Sequence, residues 1–344
     1  MIIDANVYWF PEEVFTQEAL LQKFMADIPR AYGTVGTLRE AEGAREIVIE
    51  RPAGCPGVNY RQGEYALPAL LAAMDRAGID KAVLKVPCCH EWMGLEMCRL
   101  FNDGMADYAR RSRGRLIPLA VVPPFAGQAA LEELARCRDQ LGMRGIQMSA
   151  HYGALYLDDA AFAPLLERLN EYGMTVYVHH TPVPVECTAL LDYNNLRRSY
   201  GRCEDQVIAV CRELMSGMFK KYPSVRVVHS MLGGGFFTYL NMLVPPLQGG
   251  TDSVRRFDDN GAELRGYLQS NVFFETSHAQ PWGSAQLTCA IRVLGADHVV
   301  YGSSYPVREE WLSGGPAFVR ALDLTGAEKD AVLCKNAQSL YHID

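Results

Sequence analysis

From Leu67 onward the chain repeats one unit, an amphipathic helix followed by a short apolar strand, and this alternation restricts the fold more than any other feature. A helix expected over 67–77 leads through Gly78 to a strand over 81–86, and a helix over 95–111 leads to a strand over 116–122. The pattern continues with helices over 130–141, 162–172 and 207–222 and strands over 145–149, 175–179 and 225–230. Further strands are expected near 272–276 and 299–302, with a helix over 285–294 between them and a closing helical segment from about 317 to 340. Short β-branched strands that each meet a helix are parallel strands buried on both faces. A first strand at 2–9 brings the count to eight. The expected closure is a (β/α)8 TIM barrel, with a doubly wound open sheet as the alternative.

Residues 11–65 break this rhythm: they form a long excursion rich in Pro, Gly and charge, with a helical piece over 17–26. An insertion at that point sits over a barrel mouth, where loops carry function. All 344 residues are therefore expected as one barrel domain bearing this insertion. The net charge of −7 comes without a Lys/Arg-rich run, which excludes the electrostatic footprint of a nucleic-acid binder. No apolar run reaches the roughly 18 residues a membrane span needs, and no basic-plus-apolar leader opens the chain, so a cytoplasmic protein is expected. Ten cysteines without a CxxC pair fit reduced thiols. The one cluster is Cys88 and Cys89, followed by His90; these are small buried fillers, or one of them is a thiolate activated by His90 or His179.

Period two places Asp4, Asn6 and Tyr8 on one face of the first strand, the geometry of a His-x-His metal clip without its histidines. Much later VYGSSYP, 300–306, runs a strand into a tight turn with Ser304 where a carboxylate would be expected. Several longer blocks carry a resemblance: MDRAGIDKAVL (74–84), GRLIPLAVVPP (114–124), MRGIQMSAHYGALYLDD (143–159), MSGMFKKYPSVRVVHSMLGGG (215–235) and KNAQSLY (335–341). In this order and spacing the chain resembles the amidohydrolase-2 family of the amidohydrolase superfamily, which includes decarboxylases, lactonases and hydratases. The resemblance implies a divalent metal held by His-x-His on the first strand, a His on the fifth and an Asp on the eighth, with a sixth-strand His acting on water or substrate. Carried over, the first pair becomes Asn6 and Tyr8 and the Asp becomes Ser304, while His179 keeps its identity. Met231 stands at the sixth-strand position, with His229 two residues earlier.

An amide, a phenol and a hydroxyl are poor donors for a dication, so the expectation is a site with no cofactor. The alternative is one divalent metal such as zinc, bound weakly or at a relocated set drawn from His179, His180, His151 and His278. His179, at a barrel strand end, is the expected general acid or base, helped by His229 or by Glu275. His180 is expected to turn the other way. Asn6, Tyr8 and Ser304 are expected to orient a substrate carbonyl. Arg51 and Arg61 are candidates to clamp a carboxylate, with His151 and His90 in loops expected to rim the pocket and His278, a further substrate-binding candidate, just after the strand that carries Glu275; for each a solvated or structural role is the plainer reading. Gly233–Gly235 read as a tight strand-to-helix turn, since no Gly-Lys-Ser/Thr follows.

The function expected from these residues is an amidohydrolase-like enzyme without a metal, catalysing hydrolysis, lactone opening or cyclisation of a small aromatic or carboxylated substrate. Two alternatives stand beside it: a metal-dependent non-oxidative decarboxylase or hydrolase with a relocated ligand set, and a non-catalytic binding protein on the same barrel. Its expected partner is a small molecule, not nucleic acid or a membrane. From the resemblance, the expected association is a homodimer.

Overall fold

Strands that are apolar on both faces need cover on both sides, and the chain supplies it by closing on itself. In a computed structural model, which describes residues 1–30, 33–125, 127–181, 183–244 and 261–344, the parallel strands are β1 (Ile3–Tyr8), β2 (Lys81–Lys85), β3 (Leu116–Pro118), β4 (Gly145–Ser149), β5 (Thr175–His179), β6 (Arg226–His229), β7 (Val272–Glu275) and β8 (Val299–Val300). β1, β2 and β3 pair in one run and β4 to β8 in another. Bridges Ala120 to Ile146 and Val7 to Tyr305 join the two runs. The fold is a (β/α)8 barrel.

The helices around it are α1 (Leu67–Ala77), α2 (Leu95–Arg111), α3 (Gln128–Asp139), α4 (Ala163–Tyr172), α5 (Gly201–Met215), α6 (Gly261–Ser270), α7 (Ser284–Leu294) and α8 (Glu309–Ala321). α1 shows how local chemistry sets such boundaries: Pro68 lies in its first turn and Gly78 ends it at φ 66. The helix expected over 207–222 instead starts at Gly201 and breaks near Gly217, whose φ of 78 ends the right-handed path. The closing helical segment begins earlier than expected, with Pro316 inside α8.

Inside the barrel, Ile3, Ala5, Val83, Leu119, Tyr177, Val228 and Val300 form a small core with Leu340, Tyr341 and Ile343 from the C-terminal segment. Outward residues such as Val176, Val178 and Val227 join the larger core beneath the helices. Full burial of one such aliphatic side chain is worth about 1.5–3 kcal/mol, so the two cores hold strand order and register together. The inward layer above the apolar plug is polar, and there the site begins.

Residues 11–65 hold more order than the expected helical piece, which is present as Glu18–Asp27. Val35–Ala41, Ala44–Glu50 and Pro56–Arg61 make an antiparallel sheet. Ala41 pairs with Ala44 across Glu42 and Gly43, both at positive φ (54 and 76), the two-residue hairpin that matches strand twist. Tyr60, fully buried on the last strand, donates from its hydroxyl to Pro87 O at 2.6 Å and ties this sheet to the chain just after β2.

Candidate active site

β5 ends on His179, whose ring is fully buried. Its Nδ1 lies 2.8 Å from the His180 carbonyl oxygen and must carry the proton to make that bond. Burial, with His90 and Lys85 nearby, holds the imidazole well below its usual pKa, so the neutral ring presents a bare Nε2. The Tyr8 hydroxyl donates to that nitrogen at 3.1 Å. His180 does not turn away as expected: the strand ends at His179, and the two rings stack with centroids 4.2 Å apart. Its Nδ1 meets Ser230 Oγ at 3.3 Å.

The turn after β2 brings a second group to the same place. Cys88 sits at φ 64, a left-handed kink that starts the short turn Cys89–Glu91. Cys88 Sγ, a Glu91 carboxylate oxygen and a His179 ring nitrogen lie within 4.8 Å of one another. Arg51, from the excursion, forms an ion pair with Glu91 in which the two side chains are 12% and 5% exposed. Burial pushes the Cys88 thiol up despite Arg202 and Arg51 nearby. Cys89 faces the core, as the filler reading has it. His90 is enclosed: its Nδ1 meets Gln147 Nε2 at 3.0 Å and its Nε2 meets Ser149 Oγ at 2.9 Å.

Beneath His179 lies a polar layer. Asn6 Nδ2 donates to Tyr177 Oη (3.2 Å), Glu275 Oε2 (3.1 Å) and Ser304 Oγ (3.0 Å), while its buried Oδ1 has no hydrogen-bond partner among the described residues. Glu275 faces inward and also accepts from Tyr177 at 2.7 Å, not from a histidine. Burial raises its carboxyl, against the pull of Lys85. Lys85 is fully buried, its Nζ 3.0 Å from the centre of the Tyr177 ring with no hydrogen-bond partner among the described residues. Asp4 departs from the expected shared face because the register of β1 shifts between Asp4 and Val7. Its Oδ1 accepts from the backbone of Asn6 (2.9 Å) and Ser303 (3.0 Å), which fixes the β1 and β8 ends against each other.

Of the residues singled out in the sequence, Asn6, Tyr8, His179, Glu275, Ser304 and Arg51 are thus brought to one region. His278, at the edge of that region, stacks on Trp311 with ring centroids 4.4 Å apart and leaves its buried Nδ1 without a hydrogen-bond partner among the described residues. Three others are not brought there. His229 pairs in register with Val178, so it faces outward, where Gln206 and Glu213 of α5 each take a ring nitrogen at 2.8 Å. His151 is held by Gly153 O, Val183 O and Thr181 Oγ1. Arg61 pairs with Glu42 at 2.6 Å on the exposed side of the excursion sheet. Sequence reasoning passed over Glu91 and Lys85; the first follows directly on the noted Cys-Cys-His cluster, whereas no spacing marks the second.

A metal at the family's positions would find one imidazole, an amide oxygen and two hydroxyls, with the Lys85 amine close below. These do not fit a dication. The thiol, carboxylate and imidazole of Cys88, Glu91 and His179 do, being the donor types that divalent first-row metals take.

The sequence model of the family described as Amidohydrolase matches residues 71–343. A γ-resorcylate decarboxylase of Rhizobium sp. (strain MTP-10005) is 23% identical over 334 residues, covering 89% of this chain and 98% of that protein. A 2-amino-3-carboxymuconate-6-semialdehyde decarboxylase of Dictyostelium discoideum is 26% identical over 142 residues, covering 41% of this chain but only 39% of the relative. Among solved structures, a 5-carboxyvanillate decarboxylase of Novosphingobium aromaticivorans, complexed with manganese and 4-hydroxy-3-methoxy-5-nitrobenzoic acid, superposes with TM-score 0.72 at 21% identity, covering 99% of this chain and 96% of that one. A dihydroxybenzoic acid decarboxylase of Polaromonas sp. JS666, with manganese and 2-nitroresorcinol bound, gives TM-score 0.69 at 17% identity, covering 99% and 96%. These manganese-bearing neighbours overturn the expectation, drawn from the replaced ligands, that the site works with no cofactor. Among the described residues no helix is long and apolar enough to cross a membrane.

Proposed function

We infer that this chain, which belongs to the amidohydrolase family, is a metal-dependent non-oxidative decarboxylase of a small aromatic or otherwise carboxylated compound. The observation that carries this reading is the likeness to γ-resorcylate decarboxylase along 89% of this chain and 98% of that protein. It favours loss of CO2 over the hydrolysis, lactone opening or cyclisation expected from the replaced ligands.

Cys88, Glu91 and His179 would hold the metal, a ligand set shifted toward the β2 turn from the family's first and eighth strands. Bound there, the metal supplies a Lewis acid for a substrate oxygen. The remaining work falls to side chains. The His180 carbonyl fixes the His179 ring through Nδ1, so that Nε2 points into the pocket. Tyr8 keeps its phenolic proton, because burial pushes its pKa up, and that hydroxyl can turn from Nε2 to a substrate oxygen. Asn6, its Nδ2 committed to three acceptors, presents an unpaired Oδ1 that can orient a substrate hydroxyl. In the reaction the bond from carbon to carboxylate breaks, its electron pair stays on the carbon, CO2 departs and a proton takes its place. The segment 11–65, with Arg51 and Tyr60 set against the turn after β2, forms one wall and keeps water from that carbon.

Incubating metal-loaded protein with a set of aryl and enoic carboxylates, and following released CO2 with the mass of the product, tests this reading. A product lighter by one CO2 is expected. Products that gain water with every carbon retained would return the hydrolytic reading.

A further inference from the structure

The peptide that leaves His179 is held as the strands are: His179 O accepts from Ala150 N at 2.8 Å, and His180 N donates to Ser230 Oγ at 3.1 Å. The next peptide, between His180 and Thr181, lies past the end of β5. Its carbonyl takes the Nδ1 proton of His179 at 2.8 Å, and its N–H donates to Asp205 Oδ2 of α5 at 3.2 Å. A trans peptide is planar, with N–H and C=O pointing opposite ways, so a group that grips the N–H sets where the carbonyl points.

Asp205 is fully buried and well supplied with partners. Thr181 Oγ1 also donates to its Oδ2, Tyr156 Oη donates to its Oδ1 at 3.0 Å, and His151 Nε2 lies 3.6 Å from Oδ1. The ring nitrogens of His151 face Gly153 O (2.9 Å) and Val183 O (3.1 Å), which can only accept, so both nitrogens donate and the ring meets Asp205 as a cation. Burial raises the Asp205 carboxyl, against the pull of His151, Thr181 and Tyr156. Burying a carboxylate is costly where a neutral oxygen could take the same N–H. What the charge adds is polarisation: hydrogen bonds in series strengthen one another, and an anion on the N–H side makes the carbonyl a stronger acceptor.

We propose that Asp205 is the positioning residue of His179: through the one peptide plane between His180 and Thr181 it fixes the ring, keeps the proton on Nδ1 and turns Nε2 to the metal. This deepens the proposed function and rests on its assignment of His179 as a ligand, although the grip on the ring does not depend on which reaction follows. An outer partner that holds a ligating imidazole is typically worth about 10- to 100-fold in metal affinity.

Zinc affinity is measured by competition with a chelator for wild type, Asp205→Asn, His179→Gln and His229→Ala, the last because it loosens α5 without touching this peptide. In the zinc-loaded proteins other than His179→Gln, the Nδ1 proton of His179 is followed by NMR with ring-labelled histidine. Asp205→Asn is expected to bind zinc about 10- to 100-fold more weakly, with the Nδ1 proton shifted upfield and exchanging faster with solvent. His229→Ala should keep the wild-type affinity and signal. The proposal is overturned if Asp205→Asn keeps the wild-type affinity and signal, or if His229→Ala loses as much as Asp205→Asn, which would make the effect a general loosening of α5. Wild-type zinc binding by His179→Gln would instead sink the ligand assignment, and the Nδ1 signal would still decide for or against Asp205.

Discussion

The Tyr8 hydroxyl meets His179 Nε2 at 3.1 Å, joining the first strand of the barrel to the fifth through the one family metal position that remains a histidine. Tyr8→Phe removes the donor but none of Cys88, Glu91 and His179. It should leave bound metal per chain unchanged and lower kcat/KM by about 10- to 100-fold, of the order lost with one positioned polar group. His179→Gln should lower both. Metal analysis of the purified variants, beside steady-state rates, separates the two cases; metal lost with Tyr8→Phe would show that the phenol, not the neighbouring turn, completes the ligand set.

Asp4 predicts a pH dependence of stability. Burial raises its carboxyl from 3.8 to about 7. Between those values the folded chain keeps a proton that the unfolded chain releases, so this contribution is full below 3.8 and is lost as pH rises through about 7. Its size is on the order of 4 kcal/mol. Asp4→Asn keeps an oxygen for the Asn6 and Ser303 amides and should flatten that slope. Urea unfolding from pH 4 to pH 8 checks it: an unchanged slope in the variant would contradict the assignment.

His229 lies behind the site, between Gln206 and Glu213. His229→Ala strands a buried carboxylate and should cost about 3 kcal/mol or more of stability. Turnover per folded molecule should stay within about threefold of wild type. A far larger loss of kcat at unchanged melting temperature would restore His229 to the chemistry.

After β6 the chain passes through Met231, Leu232, Gly233 and Gly234 at φ 55, 51, 59 and 70, a left-handed turn. A Cβ on Gly234 would run into the backbone carbonyl of Cys203, in the first turn of α5 next to Arg202. Gly234→Ala should therefore destabilise by about 3 kcal/mol or more, through both the positive φ and the clash. Chemical denaturation measures this; a loss below about 1 kcal/mol would mean that α5 can shift there without cost.

The barrel was legible because its elements are periodic. The spans expected for α1, α2, β4 and β5 match those observed residue for residue. The antiparallel sheet in 11–65 went unread, although Ile47 and Ile49 alternate on a strand entered through Glu42-Gly43, a hairpin signal overshadowed by the surrounding charge. In the site, His179, Tyr8, Asn6, Ser304 and Glu275 could be placed because strand ends converge by rule. Asp4 and His229 could not: a register shift moves one, and strand pairing turns the other outward. Glu91 comes from a turn: it follows directly on the Cys-Cys-His cluster, but its approach to His179 is set by tertiary packing that the sequence does not spell out.

Central to this account is loss of CO2 with a divalent metal held near His179. The most direct measurement is the release of labelled CO2 from carboxyl-labelled aryl acids by protein loaded with manganese or zinc, by chelated protein and by the chelated protein after metal is returned. The account predicts release matched to substrate consumed, lost on chelation, restored by metal and absent in a Cys88→Ser, Glu91→Gln double variant. Release that survives complete removal of metal, or consumption of substrate without CO2, would contradict it.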